Sequence, residues 1–254
     1  MFLCESHGDR IKHYRCQGIK FPTNMTNFAN QTAIGQNGWY VWLLLIFLKT
    51  TAVFAEPWLP IFNKKNLQDW QIIKTESFVH HGQITVKNGH LCLRAGQPGT
   101  GIRYLKPIPR TNYELLIEAR REEGFDFFCG LTFPVGSNYC TFVAGGWDGD
   151  ITGLSNINRR SAADNETTTS ISYETGRWYT FLIRVTPKQI SVHMDDQQII
   201  NADIRHSEIG IRPTMQPLIP LGLSSWYTQA GVRNLRIRSI RNESVSEERR
   251  KCHD

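Results

Sequence analysis

A chain of 254 residues with 40% hydrophobic and 11% aromatic side chains can bury a sizeable core, and this composition excludes a disordered or collagen-like polymer. Five of its 29 basic and two of its 23 acidic residues precede Glu56, so the formal charge of +6 shrinks to 24 bases against 21 acids over the rest of the chain. Bases so nearly balanced, and scattered along strand-like segments, lack the basic stripe of a nucleic-acid binder, and no nucleic-acid partner is expected.

Residues 1–55 read as an N-terminal extension with a signal peptide. Trp39 to Leu48 is an apolar run, Lys49 ends it, and Val53-Phe54-Ala55 places small residues ahead of Glu56 in the pattern of a cleavage site. The run is too short to cross a bilayer, so the expectation is export to the periplasm, the cell envelope or the medium, with no membrane insertion of the mature chain; an uncleaved anchor is the alternative. The uncharged stretch 21–38 is long for the segment ahead of such a run. A true start at Met25 would shorten it and remove Cys4 and Cys16.

From Glu56 to Ile240 the chain reads as strands. Ile84–Lys87 and His90–Leu93 flank Asn88-Gly89, the strongest short-range hairpin signal. Tyr113, Leu115, Ile117 and Ala119 alternate with Glu114, Leu116, Glu118 and Arg120, a period of two with one apolar face. Trp178 to Val185 is β-rich and mostly apolar, as a central strand would be, and Trp70, Trp178, Leu182, Leu235 and Ile237 are expected in or beside the core. Ile190, Val192 and Met194 alternate with polar residues before a turn at Asp195-Asp196. Many short strands between Gly, Pro, Asn and Asp turns predict an all-β fold, a jelly-roll sandwich of two antiparallel sheets over 56–240, followed by a polar, charged tail over 241–254. Cys129 and Cys140 flank a turn-like segment. They are read either as a hairpin disulfide or as two buried thiols; no cysteine pair has zinc spacing.

Several segments together resemble the 3-keto-disaccharide hydrolase domain family, exported domains of the concanavalin-like fold. Phe62-Asn63-Lys64-Lys65-Asn66-Leu67-Gln68-Asp69-Trp70 stands where the family opens with Phe-Asn-Gly-Lys-x-Leu-x-x-Trp, with Lys64 in place of the usual Gly. Tyr113–Arg120 resembles its Tyr-Glu-Leu…Glu-x-Arg strand, Gly176-Arg177-Trp178-Tyr179 its Gly-x-Trp-Tyr strand, and Arg233-Asn234-Leu235-Arg236-Ile237 its closing strand. The centre departs: Gly145-Gly146-Trp147-Asp148-Gly149-Asp150 and Ala163–Thr167 stand where an Asn-Ser-Gly stretch would be expected. The resemblance implies a carbohydrate partner and chemistry on a 3-keto or related glycoside. Fold similarity alone does not carry an activity over.

Glycan cleavage generally needs two carboxyl groups placed across the bond. The Glu-x-Asp-x-(x)-Glu run of concanavalin-like glucanases is absent. The predicted catalytic carboxylates are therefore Glu118, Asp148 and Asp150. Arg120 is expected to keep Glu118 ionised, or else the two form an ordinary ion pair on the sheet. Trp147, Arg120 and Asn165 are the predicted substrate contacts: a Trp face packs on the apolar face of a sugar ring while carboxylates accept from its hydroxyls. Asp148 and Asp150 fall short of the ligand number Ca²⁺ needs, so no cofactor is expected, with Ca²⁺ the alternative. Asn165-Glu166-Thr167 also matches an N-glycosylation acceptor. Two functions stand side by side, a hydrolase or lyase of modified glycosides and a non-catalytic glycan-binding or envelope module. The convergence of Asp148, Asp150 and Glu118 in one cleft would favour the enzyme.

Overall fold

A computed structural model describes residues 56–240. The apolar run, the Ala55 cleavage pattern, Met25, Cys4, Cys16 and the charged tail lie outside these residues. In chain order the strands are β1 (Leu59–Pro60), β2 (Trp70–Ile72), β3 (Ile84–Lys87), β4 (His90–Leu93), β5 (Gly99–Tyr104), β6 (Tyr113–Gly124), β7 (Cys129–Val135), β8 (Asn138–Gly146), β9 (Ile151–Ser155), β10 (Thr169–Ser170), β11 (Tyr179–Val185), β12 (Gln189–Met194), β13 (Gln197–Asp203), β14 (Gly222–Trp226) and β15 (Thr228–Ser239). Short 3-10 turns span Glu76–Phe78 and Pro213–Leu218. Among the described residues no helix is long and apolar enough to cross a membrane.

The strands form two antiparallel sheets. The first has the order β13-β12-β11-β6-β15-β4-β3, with β1 added beside β15, and the second the order β10-β9-β8-β7-β14-β5-β2. Turn chemistry sets the hairpins: Asn88 and Gly89 take φ of 49° and 76°, Asp195 and Asp196 of 46° and 69°, the left-handed pairs that match strand twist. The opening segment is similarly built. Lys64 has φ of 63°, a conformation that favours glycine, which accounts for Gly being the family's usual residue there. Asn63 Oδ1 accepts from the N–H groups of Lys65 and Asn66, and the Trp70 indole donates to Ile61 O at 3.1 Å.

Side chains of both inner faces fill one core, in which Phe142 of β8 meets Phe181 of β11 with ring centroids 5.1 Å apart. Tyr113, Leu115, Ile117 and Ala119 point inward from β6 as the alternation predicts, and Trp70, Leu235 and Ile237 are buried. Two core expectations fail. On β11 the inward residues are Phe181, Ile183 and Val185, so Leu182 faces outward opposite Leu116, and Trp178 lies half-buried on that same outer face. Thr180 and Arg184, two residues either side of Leu182, share its outward face, so the polar positions of the strand carry the phase that its overall apolar character obscures. Cys129 and Cys140 are free and buried; Cys129 is paired with Ala144 and Cys140 with Phe133, so the hairpin register separates them. Burial pushes both thiols up to about 12.

Candidate functional site

The outer face of the second sheet is carpeted with small residues. Gly99 and Gly101 of β5 leave room for the Phe78 ring, within 3 Å of where their Cβ atoms would stand. Gly130 of β7 makes room for Phe127, and Gly153 of β9 for the backbone of Ala162. Phe78, Phe127, Ala162, Met215 and Leu218 form a second apolar cluster over this carpet. Where that cover ends, a cleft of about 200 Å³ opens, floored by Thr141, Val143 and Ser155 and walled by Asp126, Phe127, Trp147, Arg212 and Trp226.

Trp147 is set by its turn. Gly145 and Gly149 adopt φ of 73° and 107°, and Trp147 and Asp148 themselves take 47° and 68°. The buried guanidinium of Arg121 reaches this turn from β6 and donates through Nη2 to Gly145 O at 3.0 Å and Gly149 O at 2.7 Å. A Cβ on Gly145 would stand 2.5 Å from that nitrogen, so glycine is required for the approach. Trp147 is 36% exposed, and the Arg212 guanidinium lies 5.9 Å from its ring centroid. Across the cleft the Trp226 ring stacks on Phe127 at 5.8 Å, and the Trp226 backbone N–H donates to Phe127 O.

Asp126 lies between these aromatic walls. Its Oδ1 accepts from the N–H of Phe127 at 2.7 Å and of Trp147 at 3.2 Å, and Thr228 pins its backbone through both N–H and carbonyl. Burial pushes the Asp126 carboxyl above the usual carboxylate range, and the nearby Asp148 charge adds to this, against the opposing backbone N–H groups and Arg121.

The predicted site residues divide. Trp147 lines the cleft; Asp148 follows it in the same turn, exposed and outside the lining, but near enough for its charge to act on Asp126. Asp150 follows in the same turn, but its Oδ2 accepts from Ser170 Oγ at 2.7 Å. Asn165 is committed within its own loop: its Nδ2 donates to Leu154 O and Ser161 O, and its Oδ1 accepts from the N–H and hydroxyl of Thr167. These bonds hold the amide inside the loop, away from both the sugar contact and the glycosylation expected of it. Glu118 and Arg120 stand on the outer face of the first sheet, across the core from the cleft, so the expected convergence of Glu118 with Asp148 and Asp150 is not formed. Nor does Arg120 hold Glu118. Arg120 pairs with Glu122 at 2.7 Å, whereas Glu118 accepts from Arg233 at 2.6 Å and from Asn234. Burial alone would raise the Glu118 carboxyl, but the bonds from Asn234 and Arg233 together hold it below its usual range. His193 also faces outward, and its buried Nδ1 has no partner among the described residues.

Asp126, Arg121, Arg212 and Trp226 were not singled out from the sequence. Arg121 carried a signal, since it continues the inward series Tyr113, Leu115, Ile117, Ala119. Among the described residues, Asp148 and Asp150 gather no third His, Cys or carboxylate within ligand distance; the one such trio is His90, Cys92 and Glu122.

Two antiparallel sheets stacked face to face with almost no helix define a concanavalin-like β-sandwich. A solved β-glucanase of Bacillus licheniformis shares it, with a TM-score of 0.50 at 11% identity over 74% of this chain and 100% of its own. A carbohydrate-binding module of Bacillus subtilis aligns with a TM-score of 0.47 at 12% identity over 68% of this chain and 98% of its own. At such identities the likeness is one of fold. No curated protein sequence matches the chain. The chain belongs to the 3-keto-alpha-glucoside-1,2-lyase-like domain family, which matches over residues 57–238. The resemblance read from Phe62–Trp70 and the framework strands is thereby established.

Proposed function

We propose that this is an exported carbohydrate-active protein that binds a glycoside in the Trp147 cleft and breaks its glycosidic bond, a 3-keto-α-glucoside being the substrate class. The observation that carries the reading is the half-buried Asp126 carboxyl, raised in pKa, which lines one cleft with Trp147 and Trp226 in a member of a family named for such lyases. A 3-keto group acidifies the proton on C2. In the elimination a base takes that proton, its bonding electrons form the C1–C2 double bond, the C1–O bond breaks, and the leaving oxygen takes a proton from an acid. Asp126 suits the acid, because a raised carboxyl keeps its proton nearer neutrality. Asp148, exposed beside it, supplies the second carboxylate. Trp147 and Trp226 offer ring faces to the sugar, and Arg212 a cation to its oxygens.

The pH sign follows from that role. Turnover falls as pH rises through the elevated Asp126 value and the acid loses its proton. Asp126→Asn should abolish turnover of a 3-keto-α-glucoside with little change in its Kd, since a proton donor acts mainly in the transition state. Turnover at the parental rate in that variant refutes the assignment. The aromatic lining also supports a glycan-binding module, and binding without turnover in the parent selects it. Export rests on the apolar run and the Val53-Phe54-Ala55 pattern. Mass spectrometry of natively produced protein should show Glu56 as the first residue; a mature chain retaining Trp39–Leu48 would oppose it.

A further inference from the structure

On the outer face of the first sheet, across the core from the cleft, three side chains of different chemistry meet over a gap. His90 and Cys92 project from β4, alternating with the core residues Leu91 and Leu93. Glu122 projects from β6. β15 runs between those strands, and the residue it places opposite both Cys92 and Arg120 is Gly231. With no side chain there, groups from β4 and β6 reach each other across the intervening strand. A Cβ on Gly231 would stand 3.1 Å from Arg120 Nε, Glu122 Oε1 and the Trp178 ring alike. The ligating atoms of His90, Cys92 and Glu122 lie within 4.8 Å of one another, on three half-buried residues.

We propose that His90, Cys92 and Glu122 form a binding site for a divalent cation of the zinc class, with water or an external ligand in the fourth position. One imidazole, one thiolate and one carboxylate make a donor set for a borderline-soft ion. Ca²⁺ and Mg²⁺ prefer all-oxygen sets of higher coordination number. Tetrahedral bonds of about 2.0–2.3 Å hold ligand atoms about 3.4–3.8 Å apart, so the three side chains need to draw together by about 1 Å, within the reach of χ rotation. Neighbours already orient the first ligand shell. Glu122 Oε1 accepts from Arg120 and Oε2 from Gln229 at 2.7 Å each, and the His90 ring stands edge-on to Trp178 at 5.6 Å. The opposing charges include Lys87, beside Cys92, and Arg120 and Arg233, which lie over this cluster's Trp178 ring at 4.6 and 4.1 Å. Thiolate and carboxylate together balance the ion, and the arginines moderate its affinity without occupying the thiol or the imidazole.

The test is a titration of the reduced, chelator-stripped full chain with Co²⁺, following the near-ultraviolet charge-transfer absorption of a Co²⁺–thiolate bond, then displacement by Zn²⁺. One thiolate-bound equivalent is expected. It should vanish in Cys92→Ser, weaken by more than about tenfold in His90→Ala and in Glu122→Gln, and persist in Trp147→Ala, which separates this site from the cleft. Three other thiols, Cys4, Cys16 and Cys252, lie outside the described residues. Absence of the band in the parent overturns the proposal. So does a band that survives both Cys92→Ser and His90→Ala, or one that disappears when Cys4, Cys16 and Cys252 alone are changed to Ser.

Discussion

The outer faces of the two sheets solve the same problem in opposite ways. On the first sheet β6 presents Glu114, Glu118 and Glu122 at every fourth residue, and each is met from neighbouring strands. Glu114, fully buried, sits between Arg184 at 2.6 Å and Arg238 at 2.5 Å; Glu118 takes Arg233, and Glu122 takes Gln229 across the gap. Arginine planes then cover the tryptophans, Arg238 over Trp58 and Arg120 and Arg233 over Trp178. These carboxylates are thus all engaged by neighbours. The second sheet has little charge on its outer face, where Gly, Ser and Thr positions alternate with a few larger side chains such as Val143 and Trp226, and it depends on loops to cover it. Where those loops stop, Trp147, Trp226, Arg212 and Asp126 face a cleft. A carboxylate with two cations already on it is held in place; a carboxyl with a raised pKa at the edge of an aromatic cleft is available for chemistry. The difference supports reading the Glu-x-Arg strand as framework and placing the proposed site over the other sheet.

The largest expected effects test the layering itself. Phe181→Ala should cost about 3–5 kcal/mol, since it empties the space shared with Phe142 and Phe128. Leu182→Ala, one residue on, should cost about 1 kcal/mol or less, because its side chain faces outward. Urea unfolding of the two variants reads the difference directly. Equal costs would mean that the alternation of β11 is wrongly phased.

Next comes the link between core and cleft. Arg121→Ala leaves the Gly145 and Gly149 carbonyls without their buried donor and should destabilise the fold by about 3 kcal/mol. It should weaken glycan binding as well, since the turn that carries Trp147 loses its inner support. Full stability in this variant would show that the guanidinium is dispensable.

A smaller effect distinguishes the carboxylates by pH. Glu118 is held below its usual range, so the stability it contributes is present above the unfolded-state value and is lost as pH falls through the lowered one. Glu118→Gln should therefore cost about 1 kcal/mol or less near neutrality, given its exposed arginine partner, and the gap to the parent should close in acid. Asp126 has the opposite sign: its contribution is greatest below the unfolded-state value and is lost as pH rises through the raised one. Asp126→Asn should thus narrow no gap in acid. Parallel melting curves across acidic to neutral pH decide between the two behaviours.

Much of this architecture was legible in the sequence because it rests on local rules. Asn88-Gly89 and Asp195-Asp196 dictate their turns, and the alternation from Tyr113 to Ala119 fixes which face of β6 is inside. Leu182 lies outside the core because it shares a face with Thr180 and Arg184, a period-two signal that the apolar character of the strand as a whole masks. The cleft was half-legible. Trp147 and Asp148 announced themselves as an aromatic and a carboxylate in a glycine-permitted turn, whereas Asp126 and Arg212 come from loops whose meeting depends on sheet order and on the 3-10 turn at Pro213–Leu218. The small residues Gly99, Gly101, Gly130 and Gly153 did carry a signal. Strand positions without bulk cannot fill a core by themselves, and mark a face that something else must approach closely. Glu118 and Arg120 were drawn toward the site by motif alone, and only strand pairing shows that the core lies between.

The central claim is that the glycan site lies over the second sheet, at Trp147, and not on the charged face at Trp178. Calorimetric titration of the parent, Trp147→Ala and Trp178→Ala with a panel of α-glucosides and their 3-keto derivatives tests it most directly. The account predicts that Trp147→Ala weakens binding by about 1–3 kcal/mol with an unchanged melting temperature, while Trp178→Ala binds like the parent. Binding lost in Trp178→Ala and retained in Trp147→Ala would contradict it.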